Sequence, residues 1–231
     1  MVMQELEALG KERTKKIYLS NGAREPLFGT ATGAMKPMAK KIKINQDLAE
    51  ELYATGNYDA MYFAGIIADP KAMNESDFNR WMEGAYFYML ADNVVAVTLS
   101  ESDIAQEVAD KWIASGEELK MSAGWSCYCW LLGNRPDEEF SESKISTMLD
   151  RVKETIHDAP ERAKSAMNNF LYTVAISYLP LNEKAIATSK EVGIVEMKRE
   201  DKKISFLNAY ESVQKQMDKG RLGFKRKYVR C

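Results

Sequence analysis

The sequence predicts an all-α protein, a solenoid of stacked helix pairs with a small β-hairpin near its C-terminus. Three observations lead there. Only 6 of the 231 residues are Pro, and long stretches are rich in the good helix formers Ala, Leu, Glu, Lys and Met. Apolar residues recur at helical spacing in one segment after another. Helix-start signals fall near residues 45, 75, 102, 141 and 182. That rhythm of about 30–40 residues is what stacked helix pairs produce. No residue-level repeat accompanies it, so a compact all-α bundle fits almost as well. The length suits one elongated domain, taken as residues 1–231, or two small ones.

Taken in order, Glu5 to Ser20 reads as a helix with Leu6, Leu9 and Ile17 on its apolar side, broken by Asn21-Gly22. A loop through Glu25–Gly29 leads to a helix over Gly33–Ile42, where Pro37 suits a first turn. Asn45 caps a helix running through Leu48 and Leu52 to about Ala54. Met61, Tyr62, Gly65 and Ile66 mark the next, which ends before Asp69-Pro70. Asn74–Asp77 starts another, with Phe78, Trp81 and Met82 inward. Ser102-Asp103 opens a helix whose Ile104, Val108 and Trp112 repeat every four residues, and Glu117–Leu132 is strongly apolar in its second half. Helices follow over Ser141–Ile156, over Glu161–Tyr178, and from Asn182, its expected cap, to about Glu191. Val192–Lys198 and Ile204–Phe206 read as two short strands around the charged turn Arg199–Lys203. Asn208–Met217 is a last helix before a basic tail.

Composition excludes several functions. No apolar run reaches the roughly 18 residues of a membrane helix, and the N-terminus lacks the layout of a signal peptide. With 3 Cys and no zinc-ligand spacing, free thiols in a reducing cytoplasm are expected. A single His makes a His-based metal site or a Ser-His triad a poor fit, so neither metal nor cofactor is expected. The formal net charge of −2 does not advertise a nucleic-acid binder. A polyanion would need segregated cations, and two regions offer them: Lys36, Lys40, Lys41 and Lys43, and the tail with Lys219, Arg221, Lys225, Arg226, Lys227 and Arg230. The competing reading of both is a solvated surface.

The stretch Trp81–Ser100 is nearly all apolar, yet Asp92 sits inside it. Phe87, Leu90, Val94 and Val97 form a core-facing stripe at helical spacing, while Tyr88 and Asp92, four apart, share a different face. A carboxylate there is costly unless it is paired, hydrogen-bonded or turned to a cleft. Asp92 either caps a helix starting near Asn93 or is a site acid in a groove.

The runs Gly22–Gly29, Gly33–Ile42, Asp59–Pro70, Ile156–Arg162 and Ala166–Phe170, with the ending Gly220–Lys227, resemble the DNA alkylation repair family, the AlkD-like DNA glycosylases. The resemblance covers most of the chain through diffuse motifs. It implies a HEAT-like repeat superhelix, a monomeric bacterial protein, with a basic concave face that cradles duplex DNA. Active members release cationic N3- and N7-alkylated purines. The base is already a good leaving group, so the task is to stabilise positive charge developing on the deoxyribose, by a nearby carboxylate and by aromatic faces. The family places an aromatic residue, usually Trp, four positions before an Asp. Tyr88 and Asp92 match that spacing, with Tyr for Trp. The resemblance thus assigns Asp92 to charge stabilisation and Tyr88 to the cleft wall.

Two partners of that pattern are missing. The stretch where active members carry a phosphate-holding Arg is Ser122–Tyr128, without a basic residue, and the run matching a second Trp offers Asn168, Asn169 and Phe170. A DNA-binding relative without base excision, or a protein-binding repeat scaffold, therefore stays open. For DNA contact, Lys36, Lys40, Lys41, Arg162, Lys164, Asn168, Lys225 and Arg226 are the candidates, and the resemblance implies that a hairpin carrying Lys198, Arg199, Lys202 and Lys203 would reach into a groove and favour bent or branched DNA. Against these stand plainer readings: Arg162 paired to Glu161 or Asp158, the hairpin an ordinary solvated turn, Trp125 a core residue, and His157-Asp158 structural rather than a proton relay.

Overall fold

The computed structural model describes residues 1–230. It divides into two compact units, Met1–Ala105 with Arg230, and Gln106–Val229.

The first unit contains α1 (Val2–Leu9), α2 (Glu12–Ser20), α3 (Thr32–Ile42), α4 (Gln46–Ala54), α5 (Tyr58–Ile67) and α6 (Glu75–Gly84). A helical rod follows: α7 (Tyr88–Leu90), a π turn (Ala91–Val95) and α8 (Ala96–Ser100). The single helix expected over Glu5–Ser20 is two. Gly10 separates them, because it pairs with Thr30 as an antiparallel bridge and a Cβ there would lie 2.4 Å from the Phe28 carbonyl oxygen. Helix α3 starts at Thr32, which places Pro37 inside it rather than in its first turn. The cost is one backbone bond to the Gly33 carbonyl, and Gly33 is exposed, so water can serve that oxygen. Asn45 caps α4 as expected, accepting from Leu48 N–H, and the start expected at Asn74–Asp77 is a capping box; Asn57, not marked as a cap by the sequence, caps α5 by accepting from Asp59 and Ala60 N–H.

Asp59 anchors this unit. It is fully buried in the first turn of α5, and its carboxylate accepts backbone N–H bonds from Phe28 (2.5 Å), Gly29 (3.0 Å) and Thr30 (2.7 Å). The loop before α3 is thereby fastened to the N-terminus of α5, where the helix dipole also favours a negative charge. Gly29, at φ +81°, makes this possible, since a Cβ would stand 2.6 Å from the Lys15 nitrogen.

The second unit contains α9 (Ala105–Ala114, beginning at the boundary), α10 (Glu118–Leu132), α11 (Glu142–Thr155), α12 (Glu161–Ser177), α13 (Asn182–Val192), β1 (Val195–Lys198), β2 (Ile204–Leu207) and α14 (Ala209–Met217). Helices α10, α13 and α14 all pack against α12, and α11 and α13 pack together. Helix α10 touches α9 so closely that a Cβ on Gly124 would lie 2.7 Å from the Ala109 carbonyl. Trp125 and Phe170, both fully buried, meet edge-on between α10 and α12 at 5.0 Å. Asn182 is the first residue of α13 rather than its cap. A 3-10 turn over Leu179–Leu181 leads in and leaves Leu181 at the cap without a side-chain bond. The last helix, expected over Asn208–Met217, begins at Ala209, with Asn208 as its cap.

The hairpin pairs Val195 with Leu207 and Lys198 with Ile204, antiparallel. Val195 and Met197 point inward, while Glu196, Lys198, Ile204 and Phe206 lie on the exposed face.

Candidate nucleic-acid interface

In the first unit, the stripe expected along the helical rod is the core: Phe87, Leu90, Val94 and Val97 are all buried. Asp92 is not a cap. It lies within the continuous rod, on the π turn, and α8 begins four residues later without a side-chain cap. Such turns widen a helix locally and are frequent at functional sites. Gly65 of α5 sets its position, for a Cβ there would meet Val94 at 2.7 Å. Asp92 is half-buried, with Oδ1 shielded from solvent, so the carboxylate is neither sealed in the core nor fully open.

Tyr88 is also half-buried, and ends a run of aromatic rings that the sequence did not reveal. Its ring lies 5.9 Å from Phe87, Phe87 lies 5.3 Å from Tyr58, and Tyr58 lies 4.8 Å from Tyr18. Burial pushes the Tyr58 phenol far above its ordinary range, so it stays neutral.

On α3, Lys36, Lys40 and Lys41 are exposed and form no ion pair among the described residues. Lys36 and Lys40 are one turn apart on the same side.

The basic residues of the second unit are placed differently. Arg162 lies in the first turn of α12 and grips Glu200 of the hairpin tip with two nitrogens, Nε at 2.5 Å and Nη2. Its backbone N–H donates to Glu118 Oε1 at 2.9 Å. Its partner is thus Glu200, neither of the two acids nearest in sequence. Lys164 pairs with Glu161 at 3.0 Å, and the other oxygen of Glu161 accepts the Lys198 N–H at 2.5 Å. Burial alone would raise the Glu161 carboxyl, but the Lys198 N–H and the Lys164 ammonium outweigh it and leave it below its ordinary value. Asn168 is buried, which keeps its side chain away from any phosphate in this conformation. In the tail, Lys225 bonds the Leu132 carbonyl (2.7 Å) and Asp137 (2.6 Å), while Arg226 stacks 4.7 Å above Trp130. Cations on the carbonyl end of α10 suit its dipole. Arg230, in the first unit, donates to the Gly65 and Ala68 carbonyls at 2.9 Å and pairs with Glu101.

The hairpin carries Lys198 at the end of β1 and Arg199, Lys202 and Lys203 in its tip, all exposed. Asp201 lies 3.5 Å from Arg199 and 3.6 Å from Lys203. Trp125 is core, and His157 bonds the Val192 carbonyl at 3.1 Å, a structural contact. Among the described residues no group of His, Cys, Asp and Glu is placed to hold a metal ion, and no helix is long and apolar enough to cross a membrane. Sequence reasoning missed Asp59 and Glu200. The signal for Asp59 was its place two residues after the Asn57 cap; Glu200 gave none, because its partner is 38 residues away.

Paired, packed helices with a hairpin of exposed cations set against one of them define a helical-repeat protein. Comparison with known proteins makes this specific. The model of the family described as DNA alkylation repair enzyme matches residues 2–212, and the chain belongs to that family. It is 30% identical over 197 residues to the uncharacterized protein Lin0241 of Listeria innocua, covering 83% of this chain and 84% of that protein. It is also 30% identical over 196 residues to Lmo0209 of Listeria monocytogenes, with the same coverage, 83% and 84%. A solved structure 81% identical to it, at a TM-score of 0.97, covers 100% of this chain and 98% of its own. That structure is described as one of a new family of proteins related to the HEAT-like repeat DNA glycosylases with affinity for branched DNA structures. The fold is accordingly all-α and HEAT-like, with one small hairpin.

Proposed function

We propose that this protein acts in DNA repair by binding DNA through its phosphate backbone, and that it prefers branched DNA to linear duplex. The observation that carries this reading is the hairpin, with four exposed cations, tied to α12 through Glu200 and the Lys198 N–H. The exposed lysines of α3 add a second set of phosphate donors, and a relative at 81% identity with affinity for branched DNA supports the preference. Lysine and arginine contacts to phosphate release counterions, so such binding weakens steeply as salt rises. The test is a salt titration of binding to a branched and a linear DNA of equal length. Steep weakening with salt and tighter binding to the branched form are expected; failure to bind at low salt refutes the reading and favours a protein-binding scaffold.

A second reading is excision of cationic alkylpurines, favoured by the half-exposed Asp92 on its π turn with Tyr88 four residues before it. Asp92 would stabilise charge developing on the sugar, and Tyr88 would wall the cleft. It stands second because Ser122–Tyr128 is wholly buried and carries no basic residue to hold the phosphate. Incubation with DNA containing 7-methylguanine or 3-methyladenine tests it. Free base released by the wild type and lost in Asp92→Asn supports it; equal release by the variant removes Asp92 from the role.

A further inference from the structure

We infer that Glu200 is an internal stand-in for a DNA phosphate on Arg162, a latch that the nucleic acid must displace. The inference rests on the DNA-binding reading and adds a regulation of that same site.

The geometry is that of a phosphate site already filled. Arg162 Nε donates to Glu200 Oε1 at 2.5 Å and Nη2 donates to Oε2, so two parallel bonds join one guanidinium to one carboxylate. A phosphate presents two oxygens to the same fork, which is why arginine serves both partners. The Arg162 side chain is only 13% exposed, while that of Glu200 is 36% exposed. The arginine is therefore fixed in the wall, and the carboxylate is the component open to exchange. Arg162 is held from behind as well. Its N–H is bonded to Glu118, and its carbonyl accepts a bond from the Ser122 hydroxyl at 3.3 Å. A rigid fork with a replaceable anion is a site rather than a surface pair.

The hairpin tip supplies the reason for exchange. Two acids lie in the tip. Asp201 turns toward the tip's own cations, Arg199 and Lys203. Glu200 turns away from them onto α12. The tip thus keeps its cations directed outward while it covers Arg162. DNA approaching Lys198, Arg199, Lys202 and Lys203 brings phosphates beside the latch, and one of them can replace Glu200 on the fork. The second attachment of the hairpin, Glu161 to the Lys198 N–H at 2.5 Å, lies on the strand rather than the tip, so the tip can shift without losing the hairpin.

The exchange has a signature in salt dependence. When a phosphate takes the fork, DNA releases a condensed cation, but the freed Glu200 recruits one from solution. Removing the carboxylate removes that uptake. Glu200→Gln is expected to tighten binding to branched DNA by about three- to tenfold near 50 mM salt, and to steepen the logarithmic salt slope by roughly one. Glu196→Gln, an exposed acid on the same hairpin, measures the general effect of losing one negative charge, and a smaller gain is expected. In an Arg162→Ala background the excess gain from Glu200→Gln disappears, and thermal melting of each variant shows that the fold is retained. Binding by the wild type with no excess gain in Glu200→Gln over Glu196→Gln overturns the latch alone. An excess gain that survives Arg162→Ala also overturns it. Absence of binding by wild type and Glu200→Gln alike overturns the DNA-binding reading, and the latch with it.

Discussion

The two units satisfy their charges in different ways. In Met1–Ala105 the buried acid, Asp59, is satisfied by three backbone N–H groups, and the lysines of α3 remain exposed without ion pairs among the described residues. In Gln106–Val229 four cations off the hairpin are matched to carboxylates side chain by side chain: Arg162 to Glu200, Lys164 to Glu161, Lys144 to Asp110, Lys225 to Asp137. An acid neutralised by main chain consumes no lysine. The lysines of α3 are therefore open to an outside anion, whereas Arg162 must exchange an internal partner for an external one. Counting basic residues in the sequence does not distinguish these cases; the identity of each partner does.

The largest break in this contrast is Asp59→Ala. It removes the acceptor of three N–H groups in a region where Gly29 and Thr30 are buried, at about 1–3 kcal/mol for each buried donor left unpaired. Partial hydration of Phe28 brings the expected loss to about 3–5 kcal/mol, read from chemical denaturation. A loss below about 1 kcal/mol means that the loop holds without the anchor. Next in size is the triple variant Lys36→Ala, Lys40→Ala, Lys41→Ala. DNA affinity should fall about ten- to a hundredfold near 50 mM salt, and the slope should shrink by roughly one per lysine, with melting unchanged. Lys225→Ala sharpens the contrast from the other side. The lost bonds to Leu132 and Asp137 are expected to cost about 1 kcal/mol of stability while the salt slope stays the same. The smallest effect is local and depends on pH. Because the Glu161 carboxyl is held below its ordinary value of 4.5 in the folded protein, its contribution is complete above that pH and is lost as pH falls through the lowered value. Exchange protection of the Lys198 amide should hold from neutral pH down to that point and drop below it.

Much of the architecture was legible because helix signals are local. The asparagine helix starts at 45 and 74 and the apolar stripe through Phe87, Leu90, Val94 and Val97 act within a few residues, and both are present as read. The hairpin was legible from its alternating pattern around a charged turn. The failures have non-local causes. Gly10 splits the first helix because of Phe28 and Thr30, which lie about twenty residues further on. The π turn at Asp92 is set by Gly65 on another helix, so a reading confined to the stretch offered only a cap or a groove. Asn182 failed as a cap because a 3-10 turn occupies the residues before it. The candidate site divides the same way. Residue types and spacing marked Asp92, Tyr88 and the lysines of α3, while nothing local to Arg162 announces Glu200.

Binding of DNA by its phosphates, with a preference for a branch, is the function proposed for this chain. Binding of the wild type to a four-way junction and to a linear duplex of equal length, titrated from about 50 to 200 mM salt, tests it directly. Tighter binding to the junction and a steep linear fall of log affinity with log salt are expected. No binding at the lowest salt, an affinity that salt leaves unchanged, or a linear duplex bound as tightly as the junction would contradict it.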